Sequence, residues 1–220
     1  MITPKYKEQV DFLIRILPHI AKEKSLALKD GTAINLFVRD MPRLSVDIDL
    51  TSKSIIDDRE TALANISAAL KRIDESIKTA IPGISITHIP YDQGSDVKLN
   101  CQIHNAHVKI EVNTITRGVI LPIRMMQLAE VAQTEFGKFA AIQVVSHGKL
   151  FGGKICAALD RQTSERFIRY LSSFQERRIF RRNKIRVYNV LDKSLPTNST
   201  NFSFLILQIM RQPLNNSLPA

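Results

Sequence analysis

The sequence predicts a mixed α/β (α+β) fold, and three patterns carry that prediction. Two long runs, 5–24 and 58–80, repeat apolar residues at helical spacing. Shorter runs at 25–29, 46–50 and between 84 and 113 are rich in β-branched residues, and several alternate apolar with polar positions. Gly31, Pro82-Gly83, Gly94 and Asn105 stand between these runs, where turns belong.

In chain order, Val10, Leu13, Ile14, Leu17, Ile20 and Ala21 line one face of a helix over 5–24, despite Pro18. Residues 25–29 read as a short strand leading into Gly31-Thr32, which opens a short apolar helix. Next comes the run Val46-Asp47-Ile48-Asp49-Leu50. Strand side chains alternate, so Asp47 and Asp49 share one face while Val46, Ile48 and Leu50 turn into a core. From Asp58 to about Ala80, a long helix carries Leu63, Ile66, Leu70, Ile73 and Ile77, and Pro82-Gly83 ends it. Ile84–Ile89, Val97–Ile103 and Val108–Asn113 form an antiparallel meander. Residues 124–136 read as helix, Ala140–Ser146 as strand, and Lys149–Leu159 as a helix after His147-Gly148.

At 220 residues the chain can bury a substantial core. No apolar run approaches membrane-spanning length and the N-terminus lacks a signal-peptide pattern, so the expected location is cytoplasmic, with no membrane partner. Cys101 and Cys156 form no CxxC pair, which argues against a disulfide framework or a structural zinc site; both read as small buried hydrophobes. The net charge of +10 is unevenly spread. Residues 165–220 hold ten Lys and Arg against three Asp and Glu, while residues 1–164 are nearly balanced.

Neighbouring carboxylates repel, so a strand with Asp47 and Asp49 on one face suits a bound cation. Backbone N–H groups at the Gly31-Thr32 turn suit phosphate. A solvated strand end also carries such acidic pairs; the turn beside it favours chemistry on a nucleoside triphosphate. Glu111 alternates with Val108, Ile110 and Val112 and is a candidate third carboxylate, or else a solvated strand residue. Lys154, in Phe151-Gly152-Gly153-Lys154, is either a phosphate ligand or a helix lysine reaching water. Arg43 is a candidate for phosphate or acceptor contact, and His147 reads as structural.

The segments LKDGTAINLFVRDMPRLSVDIDLT, VKIEVNTITRG and HGKLFGGKICAALDRQ resemble the AbiEii-type nucleotidyltransferases, toxin components of bacterial type IV toxin–antitoxin and phage-defence systems, over roughly residues 10 to 163. The resemblance implies a polymerase-β-like nucleotidyltransferase core with a mixed sheet. It implies Mg²⁺ (or Mn²⁺) held by Asp47, Asp49 and Glu111, and an NTP held by Gly31, Thr32, Arg43 and Lys154. The implied reaction is transfer of NMP to an RNA acceptor, the 3′ end of tRNA in relatives, with a cognate antitoxin acting as transcriptional repressor. Asp47, Asp49, Glu111 and Lys154 are the implied catalytic set.

The chain departs from that family in two places. Asp30-Gly31-Thr32 stands where the family has Gly-Gly-Thr or Gly-Gly-Ser, which puts a carboxylate beside the expected triphosphate. After Ala158-Leu159-Asp160-Arg161-Gln162, the family's Arg-Asp-x-x-Asp helix is missing. One permitted codon choice for Glu165–Phe174, read one nucleotide later, translates as R-D-L-F-D-I-Y-L-L. The sequence therefore divides into a nucleotidyltransferase-like domain, 1–163, and an aberrant basic tail, 164–220, that reads as a frameshifted remnant of a C-terminal helical domain. Activity is accordingly expected to be impaired. The alternative is a catalytically dead nucleotide- or RNA-binding protein, with Arg177, Arg178, Arg181, Arg182, Lys184 and Arg186 contacting RNA.

Overall fold

The computed structural model describes residues 4–39, 46–91 and 94–160, with side chains to Lys154. The tail, 164–220, and Arg43 lie outside the described residues. Contacts divide the chain into Met1–Lys154 and Ile155–Ala220, and the first unit is described by itself.

Its frame is a seven-stranded mixed sheet of order β3-β4-β5-β2-β1-β7-β6. The strands are β1 (Leu26–Lys29), β2 (Asp47–Ser52), β3 (Ser85–Tyr91), β4 (Ser95–Ile103), β5 (Ala106–Asn113), β6 (Arg124–Gln127) and β7 (Ala141–Val144). β3, β4 and β5 form the predicted antiparallel meander. β5 then runs parallel to β2, β2 antiparallel to β1, and β1 parallel to β7. The mixed α/β class expected from alternating periodicities is the class observed.

Helix α1 (Pro4–Ala21) packs on β5 and β7, and α3 (Arg59–Ala80) packs on β4 and α1. Both apolar faces are buried, with Leu13, Ile14, Leu17, Ile66, Leu70 and Ile73 almost wholly withdrawn from water. The Asp58 carboxylate caps α3 by accepting the Thr61 N–H at 2.7 Å. Pro18 lies within the last turn of α1, where it withholds one backbone N–H from the carbonyl four residues earlier while the helix continues to Ala21. Cys101 faces the core from β4, and burial followed by the Asp74 charge pushes its thiol up to about 12. Pro90 is accommodated because β3 is an edge strand with a register shift between Ile89 and Pro90.

Three expectations are corrected. Residues 124–136 are not one helix: Arg124–Gln127 is β6, paired antiparallel to β7, and α4 begins only at Glu130 and ends at Phe136. Met and Gln favour helix intrinsically, but pairing with β7 overrides a weak local preference. Val46 precedes β2 and is half-buried, so only Ile48 and Leu50 reach the core from that run. The last helix, α5, spans His147–Asp160 and starts two residues earlier than Lys149.

The loop after β5 folds back on the end of β2: Gly118 N–H donates to the Ser52 carbonyl at 3.0 Å and Val119 N–H to that of Lys53 at 3.2 Å. Gly118 has φ +76°, and a Cβ there would lie 2.8 Å from Ile55 Cγ2 and 3.1 Å from the Ser54 carbonyl. Gly118→Ala is therefore expected to destabilise the domain by about 1–2 kcal/mol through backbone strain and crowding. Urea denaturation checks this, and an unchanged midpoint would refute it.

Candidate active site

β1, β2 and β5 lie side by side and set the site by register. Lys29 on β1 pairs with Asp49 on β2, and Asp49 pairs in turn with Glu111 on β5. Asp47 pairs with Lys109. Ile48 and Leu50, between and after the aspartates, are fully buried, so the apolar face anchors the strand and leaves its acidic face open.

Immediately after β1 the chain turns at Asp30 into α2 (Asp30–Ala33), which continues as a π-helical turn over Ile34–Val38. Gly31 and Thr32 are buried in it. The Thr32 hydroxyl donates to the backbone carbonyl of Asp47, which ties the turn to the start of the acidic strand. This turn and the acidic strand end form one unit, as the sequence suggested. Thr32, expected to hold the NTP, has its hydroxyl directed into that junction.

Lys154 comes from α5 and meets the turn across the sheet end: its Nζ lies 2.6 Å from Asp30 Oδ1. Lys29 Nζ lies 2.8 Å from Asp30 Oδ2. Burial pushes the Asp30 carboxyl up, but the Lys29 and Lys154 ammoniums outweigh it and hold the group below the usual carboxylate range. Asp49 has the opposite fate. Burial, then the Asp30 charge, pushes it up to about 6 against the opposing pull of Lys154 and Lys29, with Asp47 adding a smaller push.

Glu111 sits on the strand beside Asp49 but is engaged elsewhere. Lys98 Nζ is 3.0 Å from its Oε1 and Lys109 Nζ is 3.3 Å from its Oε2. Burial raises its pKa, and the hydrogen bonds and charges of Lys98 and Lys109 more than reverse that. Lys109 also stands 4.0 Å from the exposed Asp47. Thus the structure brings Asp30, Asp49, Lys29 and Lys154 together, and sets Glu111 with Lys98 and Lys109 beside them. His147 meets Phe151 edge-on at 6.2 Å between ring centroids. Lys29, Lys98 and Lys109 were not singled out in the sequence, where lysines on alternating strands look like ordinary solvent-facing residues.

The chemistry of the donors suits a hard divalent ion. Asp47 and Asp49 offer carboxylate oxygens on one strand face, a donor set of hard oxygens that suits such an ion. Among the described residues no three His, Cys, Asp or Glu side chains form a group able to hold an ion by themselves. Mg²⁺ does not require that: it is commonly held by one or two carboxylates together with substrate phosphates and water.

Residues 11–169 match the family described as "Nucleotidyl transferase AbiEii toxin, Type IV TA system". The chain belongs to that family. Similar solved structures include MenT4, a nucleotidyltransferase toxin of Mycobacterium tuberculosis H37Rv, at 15% identity and a TM-score of 0.48. That match covers 70% of this chain and 54% of MenT4, so the chain spans about half the length of that protein. JHP933 from Helicobacter pylori is 14% identical with a TM-score of 0.45, over 96% of this chain and 93% of that one. No curated protein matches the chain. Among the described residues, no helix is long and apolar enough to cross a membrane.

Proposed function

We propose that the domain transfers NMP from an NTP to an RNA acceptor, the 3′ end of a tRNA, as a nucleotidyltransferase toxin. The observation that carries this reading is the convergence of the sheltered lysines Lys29 and Lys154 on Asp30, with Lys29 in register with Asp49 on the strand whose one face carries Asp47 and Asp49. Carboxylates for a hard metal beside ammoniums for a polyphosphate are what phosphoryl chemistry asks of a site.

In this reading Asp47 and Asp49 hold Mg²⁺ or Mn²⁺, with Glu111 assisting from the neighbouring strand, and the bound ion supplies Lewis-acid stabilisation of phosphate charge. Lys154 and Lys29 neutralise the triphosphate, and the Gly31 backbone faces the β- and γ-phosphates. The acceptor 3′-hydroxyl oxygen attacks the α-phosphorus. A new P–O bond forms, the bond to the bridging oxygen breaks, pyrophosphate leaves, and the hydroxyl proton passes to solvent. Arg43, on the segment leading into β2, is assigned to the acceptor or phosphate. A cognate antitoxin repressing transcription is the expected genetic partner.

The family's Arg-Asp-x-x-Asp segment is absent from the sequence, so the 220-residue chain is proposed to be impaired, with 164–220 a frameshifted remnant of the helical part. The test uses labelled NTP and total tRNA with two chains: the 220-residue protein, and a frame-restored version carrying R-D-L-F-D. The restored chain is expected to label tRNA, its Asp47→Asn variant at least about 100-fold less, and the 220-residue chain poorly. Equal labelling by both chains would refute impairment. Labelling that survives Asp47→Asn would refute the assignment of the acidic strand.

A further inference from the structure

Asp30 is the only non-glycine residue besides His104 with positive φ among the described residues, at +62°. That conformation favours glycine, and an L side chain adopts it at a backbone cost that aspartate tolerates better than most. A carboxylate kept in such a position has partners to explain it, and here each of its two oxygens meets a different ammonium. Oδ1 takes Lys154 at 2.6 Å and Oδ2 takes Lys29 at 2.8 Å. The three side chains are sheltered, with 21%, 24% and 15% exposure for Asp30, Lys154 and Lys29.

The arrangement is that of one anion bridging two point charges from separate elements, the β1 terminus and α5. A phosphate group would be bridged by the same two lysines in the same way.

We propose that Asp30 is an internal anion occupying the lysines that would receive the triphosphate, so that a polyphosphate enters by displacing its carboxylate and this one side chain sets nucleotide affinity. The inference rests on the nucleotidyltransferase reading of the site. It assigns Asp30 a specificity role toward phosphate charge. Removing it leaves Lys154 and Lys29 open to the ligand and lowers the negative charge that an incoming Mg·polyphosphate meets. The unit stays a protein with two lysines and two aspartates at that strand end.

Calorimetric titration of the full 220-residue chain with Mg²⁺–tripolyphosphate tests this without requiring turnover or a choice of base. Asp30→Gly, which also relaxes the positive-φ backbone, and Asp30→Asn, which keeps the shape, are both expected to tighten binding about 10-fold. The exposed Glu60→Gln on α3 serves as a control for net charge and is expected to change nothing. If Asp30→Gly fails to fold, the Asp30→Asn result decides. Unchanged or weaker binding in a folded Asp30 variant, with wild type binding normally, overturns the internal-anion role alone; weaker binding would instead make Asp30 a ligand. A tightening matched by Glu60→Gln also overturns it. No binding by wild type or any variant overturns this role, while the nucleotidyltransferase reading stands or falls separately on labelling by the frame-restored chain.

Discussion

Asp49→Asn is expected to raise the melting temperature at pH 7.5 while removing nucleotide transfer from the frame-restored chain. The two effects have one cause. Burial and the nearby Asp30 charge push the Asp49 carboxyl up to about 6, so keeping it ionised at pH 7.5 costs folding free energy. Against an unfolded value near 3.8, such a shift corresponds to roughly 2–3 kcal/mol. The native state holds the Asp49 proton more tightly than the unfolded state. Stability contributed by this group is therefore lost as pH rises from about 4 to about 6, and the full penalty applies above that window. Asparagine has nearly the same shape and no charge to desolvate. Its advantage over wild type should be largest above pH 7, about 5 °C, and should fade below pH 4. Transfer should fall at least about 100-fold, because an amide is a poor replacement for a carboxylate at a hard metal. Thermal melts across pH and a labelling assay read the two arms separately. A variant that is less stable at pH 7.5, with no pH dependence of the difference, would make Asp49 a structural ion-pair partner. Retained transfer would remove it from the metal set.

The acidic strand could be read from sequence because period-two alternation is a local property: Asp47-Ile48-Asp49-Leu50 states which side faces inward before any partner is known. The meander from Ser85 to Asn113 was legible for the same reason, with Gly94 and Asn105 at its turns. Strand β6 was not, since its four residues carry no alternation strong enough to compete with the helical character of the segment after it. The site's counter-charges were hidden for a different reason. Lys98 meets Glu111 only through the pairing of β4 with β5, and Lys109, which shares a face of β5 with Glu111, meets Asp47 only through that of β5 with β2. Asp30 was visible as an odd residue in a turn, but its partner Lys154 lies on the last described helix, far along the chain. Alternation reveals the face a residue occupies; the charge it meets there depends on long-range register.

Lys154→Met separates the lysine's two jobs. As the ligand proposed for the triphosphate, its loss should weaken Mg²⁺–tripolyphosphate binding at least 10-fold, since a methionine fills the volume but offers no charge. As the closer partner of Asp30, its loss leaves a sheltered carboxylate with Lys29 alone, and stability should drop by about 1–2 kcal/mol, less than a fully buried pair would cost. Combining Lys154→Met with Asp30→Asn removes the stranded charge. The double variant should recover most of the lost stability, giving a coupling of about 1 kcal/mol or more, yet it should bind polyphosphate at least about 10-fold more weakly than Asp30→Asn alone. That asymmetry distinguishes a ligand lysine from a structural one. If stability is restored in the double variant and it binds as tightly as Asp30→Asn alone, Lys154 serves the fold through Asp30 and the phosphate is held elsewhere. If single and double variants bind as wild type does, the start of β2 is not where the triphosphate sits, and the acidic strand must find its counter-charge in Lys109 and Lys98.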